Sequence, residues 1–379
     1  MEYKEYELDE LLPYEQPQAY IVESTDYSDT YKTPVLTAGK SFILGYTNET
    51  NGIFDKLPVI IFDDFTTATQ FVNFKFKVKS SAMKILHINT DLVVPKYIYY
   101  RLQTIHIDHN THKRYWIQQF SKIKVKIPSI PVQQRIVSRI EELFSSLDNA
   151  VETLQKTKEQ LAVYRQAVLK EAFEGDYKKV SLGDISTVIS GYAFKSKKYD
   201  RDGKYVVVKI GNVKERRFDF SRDLTRTNEV DDNILEKYLL QEGDCLITQT
   251  GSRGKRDYGF VSMIGNQTNY LLNQRVAALR FNKDVAMPQF FQYYLSSPDY
   301  RDKFFSYETG NVGQGNVGIK ALSEPMVILP DIEEQKMIIK DIEARLSMCD
   351  SIEQTVNAAL TQAEAMRQSI LKEAFEGRL

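Results

Sequence analysis

Two stretches of the chain carry the same long hydrophobic period. In the first, Ile136, Ile140, Leu143, Leu147, Ala150, Leu154, Thr157, Leu161, Tyr164 and Val168 follow one another in alternating steps of four and three. That spacing is the seam of a coiled coil. In the second, Ile338, Ile342, Arg345, Cys349, Ile352, Val356, Ala359, Ala363, Met366 and Ile370 repeat the rhythm. Each stretch opens after prolines, IPSIP in one and LPDIEE in the other, and Asp331 with Glu334 has the spacing of a capping box. Gly175 and Gly377 suit C-terminal stops. Each predicted helix runs for about forty residues, or roughly 60 Å at 1.5 Å per residue. Neither buries its stripe alone, and the two stripes match. The economical solution is one antiparallel pair inside the chain, with association between chains through the same seams as the alternative.

The helices belong to a longer repeat. LKEAFEG occurs at 169–175 and again at 371–377, and the register holds without a gap back through Asp148/Asp350, Ile140/Ile342 and Gln133/Gln335 to Pro128/Pro330. Upstream the similarity is fainter: YELDEL (6–11) matches VSLGDI (180–185), and PKYIYYRL (95–102) matches PQFFQYYL (288–295). Between these markers lie short β-rich runs, PVIIF (58–62) and NFKFKVK (73–79) in the first copy, KYVVVKI (204–210) and RVAALRF (275–281) in the second. The expected organisation is a β-rich head over 1–127, a helical spacer over 128–175, a second head over 176–328 and a second spacer over 329–379. This is an α+β chain of two mixed heads alternating with two long helices, related by a pseudo-twofold axis if the helices are antiparallel.

Charge separates the heads. The whole chain has net charge −1, but residues 176–328 hold 23 Lys and Arg against 19 Asp and Glu, whereas residues 1–126 hold 15 of each. The second head also carries basic clusters, KERRFDFSRDLTR (214–226) and GSRGKR (251–256), the usual electrostatic footprint for phosphate. No apolar run reaches the roughly 18 residues of a membrane span. The acidic start, MEYKEYELDE, does not read as a secretion signal. Two distant cysteines, Cys245 and Cys349, make neither a disulfide framework nor a zinc signature, so a reducing cytoplasm is expected. His87, His106, His109 and His112 have no metal-ligand spacing. There is no GxxxxGK[ST] loop and no GxGxxG after a strand. Asp63 and Asp64 would point to opposite faces of a regular strand and so do not converge on one metal.

This alternation of two heads with two repeated helices resembles the specificity subunits of Type I restriction–modification systems. The resemblance covers essentially the whole chain. Its carriers are 14–54 and 59–84 with HKRYWI (112–117) in the first head, and ISGYAFKSKKY (189–199) with GNVGQGNVGIKALSEPMVILPDIEEQ (310–335) in the second. It implies two target-recognition domains, each reading half of a split double-stranded DNA site. It implies helices that act as a ruler and as the dock for two methyltransferase subunits, which supply S-adenosylmethionine, with a restriction and translocase subunit joining them. The chain itself is then expected to have no catalytic residues and no cofactor. The candidate DNA contacts are Lys40, Tyr46, Thr47 and Asn48 in a polar, glycine-bracketed stretch, Thr66 and Thr67, and Lys113 and Arg114 beside Trp116, itself read as core. In the second head they are Arg253, Lys255 and Arg256, where arginine reaches a guanine edge or a phosphate, and the amides Gln314 and Asn316 in a glycine-rich loop. The alternative from another class is a coiled-coil scaffold whose heads bind proteins.

Overall fold

The computed structural model describes residues 3–37, 41–105, 107, 115–221, 223–311 and 313–378. The chain forms two compact units, residues 1–155 with 357–379, and residues 156–356. The unit borders therefore fall inside the long helices, not at the helix starts.

In the first unit the strands are β1 (Lys4–Glu7), β2 (Tyr14–Glu15), β3 (Thr33–Leu36), β4 (Ile43–Thr47), β5 (Val59–Asp63), β6 (Thr69–Val72), β7 (Lys77–Val78), β8 (Met83–His87) and β9 (Lys124–Ile127). The helices are α1 (Leu8–Leu11), α2 (Pro95–Leu102), α3 (Tyr115–Gln118) and α4 (Ile130–Glu171). The central sheet has the order β2–β8–β5–β6 and is antiparallel throughout. All five residues of β5 are buried, because successive side chains point to opposite faces and both faces are covered. Ile60 and Phe62 pack with Ile98, Trp116 and Phe120, whereas Val59 and Ile61 pack with Leu36, Phe54 and Val78. A second sheet, β4–β3–β7, lies on the latter side, and β1 pairs with β9 to close the head. Of the predicted run 73–79, only Lys77–Val78 is a strand.

The second unit repeats the plan with longer connections. Its strands are β10 (Lys179–Ser181), β11 (Ser186–Ser190), β12 (Tyr205–Val208), β13 (Val213–Lys214), β14 (Arg217–Phe218), β15 (Arg226–Thr227), β16 (Cys245–Thr248), β17 (Thr250–Gly251), β18 (Val261–Met263), β19 (Tyr270–Leu272), β20 (Val276–Phe281), β21 (Gly315–Asn316) and β22 (Met326–Ile328). Its helices are α5 (Leu182–Ile185), α6 (Asp232–Tyr238), α7 (Pro288–Ser296), α8 (Pro298–Ser306), α9 (Lys320–Ser323) and α10 (Ile332–Phe375). The main sheet, β11–β20–β16–β18, is again antiparallel, with its middle strands buried on both faces. Cys245 and Ile247 face one core, and Leu246 faces the other. The pair β10–β22 followed by α5 corresponds to β1–β9 followed by α1.

The long helices contain 42 and 44 residues. In the first unit Val137, Ile140 and Phe144 of α4 share a core with Leu371 and Ala374 of α10. Arg367 stacks over the Phe144 ring at 4.3 Å and pairs with Asp148. In the second unit Arg165 reaches Asp350 and Glu353 at 2.6 and 2.8 Å, and Arg345 reaches Glu171 at 3.1 Å. Numbers rise along α4 as they fall along α10, so the pairing is antiparallel.

The seam is shifted from the predicted one at every second step. Ile140, Leu147, Leu161, Ile342, Cys349, Val356 and Ala363 are buried as expected, but Ala150, Tyr164, Ile352 and Met366 are exposed. Phe144 and Leu346 are buried in place of Leu143 and Arg345. At about 100° per residue, a step of four lies roughly 40° off the starting face and a step of three roughly 60°. The residue at plus four therefore faces the partner better.

The capping box at Asp331 forms: Glu334 N–H donates to Asp331 Oδ1 at 2.8 Å, and Asp331 N–H donates to Glu334 Oε2 at 3.0 Å. Gly377, at φ 75°, ends α10, with Arg378 N–H donating to the Glu373 carbonyl at 2.9 Å. Gly175 does not play that part. α4 ends at Glu171, and a Cβ on Gly175 would lie 2.4 Å from the Tyr177 ring. No helix among the described residues is long and apolar enough to cross a membrane.

Candidate nucleic-acid interface

In the second unit the basic loop and the glycine-rich loop come together. They meet through β17 and β21, which pair Thr250 with Asn316 and Gly251 with Gly315. Thr250 Oγ1 donates to Asn316 Oδ1 at 2.8 Å, and Gln249 Nε2 donates to the Val317 carbonyl at 3.1 Å. Glu308 is the clamp. Its carboxylate accepts from Tyr258 Oη at 2.7 Å and from Gly254 N–H at 3.3 Å. Burial, and then this carboxylate, push the Tyr258 phenol above its ordinary range. Gly315 leaves room for this clamp, because a Cβ would sit 2.4 Å from Glu308 Oε1 and displace the carboxylate.

The sequence candidates divide by what their side chains already hold. Arg253 is exposed and gives one N–H to the Gly310 carbonyl at 2.7 Å, leaving the other guanidinium donors outward. Lys255 is exposed at the tip. Arg256 is exposed at φ 52°, ion-paired with Asp302 at 2.6 Å and stacked over Phe305. Gln314 is exposed. Asn316 is half-buried and its carbonyl oxygen is taken by Thr250, so it is a strut between the loops. Behind the loop stands Arg301, which no sequence signal singles out. It donates to the carbonyls of Gly259, Arg256 and Tyr258, and burial lowers its pKa. Of the other basic cluster, 214–226, Lys214 and Arg217 pair in the small β13–β14 hairpin, with Arg216 over the Tyr293 ring.

In the first unit Lys40, Lys113 and Arg114 lie outside the described residues, as do His106, His109 and His112. Thr47 is 1% exposed and its hydroxyl accepts from Glu49 N–H, so it is closed to a ligand, contrary to the expectation. Tyr46 is half-buried and Asn48 exposed at the same strand end. Thr66 and Thr67 lie in the β5–β6 turn, Thr66 exposed and Thr67 half-buried at φ 62°. Asp63 and Asp64 beneath them are structural. Asp63 accepts from Phe65 N–H, Thr66 N–H and Thr66 Oγ1. Asp64 accepts from Trp116 N–H at 2.8 Å and lies 3.5 Å from the buried Lys84 ammonium. Trp116 is fully buried, as expected of core. His87 pairs with Glu15 at 2.7 Å. Among the described residues no group of three or more His, Cys, Asp and Glu side chains could hold a metal ion.

Two exposed, internally braced turns thus stand on matching sheets, the one after β16 carrying Arg253, Lys255 and Arg256 and the one after β5 carrying Phe65 and Thr66. Comparison with known proteins gives these heads their context. The chain is 43% identical over 196 residues to the EcoR124I/EcoR124II Type I restriction enzyme specificity subunit of Escherichia coli, covering 48% of each protein. It is 27% identical over 279 residues to the EcoKI specificity subunit of Escherichia coli strain K12, covering 69% of this chain and 58% of that one. The matches therefore span about half of these relatives' length. Among solved structures, a chain from a study of complex assembly and conformational transition of the type I R-M system superposes with TM-score 0.72 at 16% identity, covering 100% of this chain and 98% of that one. The HsdS subunit from Thermoanaerobacter tengcongensis superposes with TM-score 0.54 at 15% identity, covering 100% and 97%. At such identities the two structures speak for the fold alone. The family model for the Type I restriction modification DNA specificity domain matches twice, over residues 1–162 and 174–362, and the chain belongs to that family.

Proposed function

We propose that this chain directs a Type I methyltransferase and restriction assembly to an asymmetric, bipartite double-stranded DNA target in the cytoplasm. It contributes recognition and no catalytic chemistry. Each head reads one half-site. The long helices carry two methyltransferase subunits, which bring S-adenosylmethionine, and a restriction and translocase subunit completes the complex.

The observation that carries this reading is the doubled plan with undoubled surfaces. The two units share sheet order, strand direction and helix entry, yet the exposed residues at matching places differ in chemistry. Identical heads would read identical half-sites, whereas these are built to read different ones. The exposure of Arg253 and Lys255 on the second head supports contact with phosphate or a guanine edge there. In the first head Lys40, Tyr46, Asn48, Thr67, Lys113 and Arg114 remain as candidates, while the Thr66 hydroxyl is engaged within its own turn. The testing experiment is methylation mapping by long-read sequencing in cells with and without this gene. The expected result is loss of one split motif with two unlike halves. A continuous palindrome, or an unchanged methylation pattern, refutes the reading.

A further inference from the structure

One exposed feature belongs to none of the polar and basic candidates. Phe65 is 54% exposed at the tip of the β5–β6 turn. A large apolar ring in water is ordinary on a loose loop, but this turn is braced from within. Asp63 N–H donates to the Ala68 carbonyl at 2.8 Å, and Thr67 N–H donates to the Asp63 carbonyl at 2.9 Å. The Asp63 carboxylate takes Phe65 N–H at 2.9 Å, Thr66 N–H at 3.3 Å and Thr66 Oγ1 at 2.7 Å. Thr66 Oγ1 in turn accepts from Ala68 N–H at 3.4 Å. Both acidic side chains are turned inward, Asp63 6% and Asp64 3% exposed, so the tip presents no carboxylate. With the Thr66 hydroxyl committed to the turn, the ring is the large exposed side chain of the tip.

Its position has a counterpart in the other unit. β5 lies between β8 and β6, and β16 lies between β20 and β18, with the same chain order and the same antiparallel pairing. The turn leaving β5 is therefore the equivalent of the connection leaving β16. That connection carries Arg253, Lys255 and Arg256, also on an internally braced loop. One place in the fold displays a ring in one head and cations in the other.

We propose that this turn is the base-reading finger of both heads, and that Phe65 reads a thymine by apolar contact with its C5 methyl. The proposal rests on the DNA-reading function above and names the group within it. Thymine is the base that shows a methyl in the major groove, and apolar side chains are what recognise it. An exposed apolar ring on a braced turn whose two acids face inward suits that group.

The test uses the chain assembled with its methyltransferase subunits and duplexes containing the mapped target. Each thymine of the target is replaced in turn by deoxyuridine, which removes only the methyl. The wild-type complex should lose roughly fourfold in affinity at one thymine, the scale of one buried carbon group. Phe65→Ala should lose this thymine preference and leave discrimination in the other half-site unchanged. Phe65→Leu should keep part of it. Because the ring is exposed, both variants should melt with the wild type. A wild-type complex that binds its target specifically but ignores every such replacement overturns the proposal and spares the function. A Phe65→Ala complex with the thymine preference intact overturns it too. If Phe65→Ala instead fails to assemble with the methyltransferase while binding DNA as before, the finger touches protein and the proposal falls. A wild-type complex with no sequence preference at all sinks the DNA-reading function itself.

Discussion

Asp64 and Glu49 show how the first head uses its acids. Asp64 accepts from Trp116 N–H at 2.8 Å and faces Lys84, whose ammonium also donates to Gln16 Oε1 at 2.9 Å; both ions are almost wholly buried. Removing one member of a buried pair leaves an uncompensated charge, so Asp64→Ala should destabilise the head by about 3–5 kcal/mol. Thermal unfolding of the purified chain checks this, and an unchanged melting temperature would show the pair to be dispensable. Glu49 makes the parallel case with a pH signature. Its carboxylate lies 2.6 Å from the Lys77 ammonium and accepts from the N–H groups of Ser24 and Glu23. The Lys77 bond, then the Ser24 N–H, hold its pKa below the ordinary 4.5. A carboxylate with a depressed folded-state pKa contributes stability that is full above its unfolded value and is lost as pH falls through the folded value. Wild-type stability should therefore decline below about pH 4.5, whereas Glu49→Gln should be less stable at neutral pH and flatter in acid. Melting curves taken from neutral pH into acid should converge; parallel curves would mean that Glu49 is not the group titrating.

Elements are where sequence reading serves well and where it stops. The long helices and the middle strands are legible because periodicity and continuous apolar runs are direct records of burial on one face or two. The period misplaces alternate seam positions, as Tyr164 and Ile352 show, because it does not say which neighbour of a stripe turns inward. Gln133 and Gln335 are legible in sequence only as matching letters. In the structure both are fully buried locks between the start of a long helix and the entry to a short one. Gln133 accepts from Val94 N–H and donates to the carbonyls of Leu92 and Pro128. Gln335 accepts from Met287 N–H and donates to those of Val285 and Pro330. A polar residue near a helix start looks solvated in sequence, so this role needs the fold to be seen. Replacing Gln335 by Leu takes the partner from three backbone groups, of which the Pro330 carbonyl bond is buried and the Met287 and Val285 bonds half-buried, at roughly 1–3 kcal/mol for the buried one and less for the others. The second head should then become sensitive to proteolysis at temperatures the wild type survives, and equal resistance would refute the lock. The basic connection after β16 should behave in the opposite way. Its side chains are exposed and the Arg256–Asp302 pair is a surface one, so triple replacement of Arg253, Lys255 and Arg256 by alanine should leave melting nearly unchanged. DNA affinity should fall, and its dependence on salt should flatten by about one unit of slope for each phosphate that is no longer neutralised. An unchanged slope would remove these residues from the interface.

At the scale of the whole molecule, the two heads are joined through the long helices. Residues 130–155 of α4 belong to the first unit and its later residues to the second, and α10 crosses back between Val356 and Asn357. If each head reads a half-site, helix length enters the spacing of the target, and that can be changed without touching either head. Four residues inserted after Lys156 add about 6 Å of rise, close to two base-pair steps. Because α10 is paired antiparallel to α4, the variant carries a matching four-residue insertion after Val356, which keeps the two helices equal in length. Each insertion rotates the downstream seam by only about 40°, because four residues slightly exceed one turn. Val168, fully buried in the second unit's core, would return almost to its original face, and modest repacking would absorb the remainder. The methylated motif of this variant should keep both halves and gain one or two base pairs between them. Two-residue insertions at the same places rotate the seam by about 200° and turn Leu161 and Val168 away from their partners. That protein should lose assembly or solubility with no new motif. The two variants separate length from phase, which a deletion of the helices cannot do. If the four-residue variant methylates the original motif at full occupancy, the helices are a dock and not a ruler. The difference between the half-sites would still be explained by the unlike fingers after β5 and β16, since those belong to each head alone.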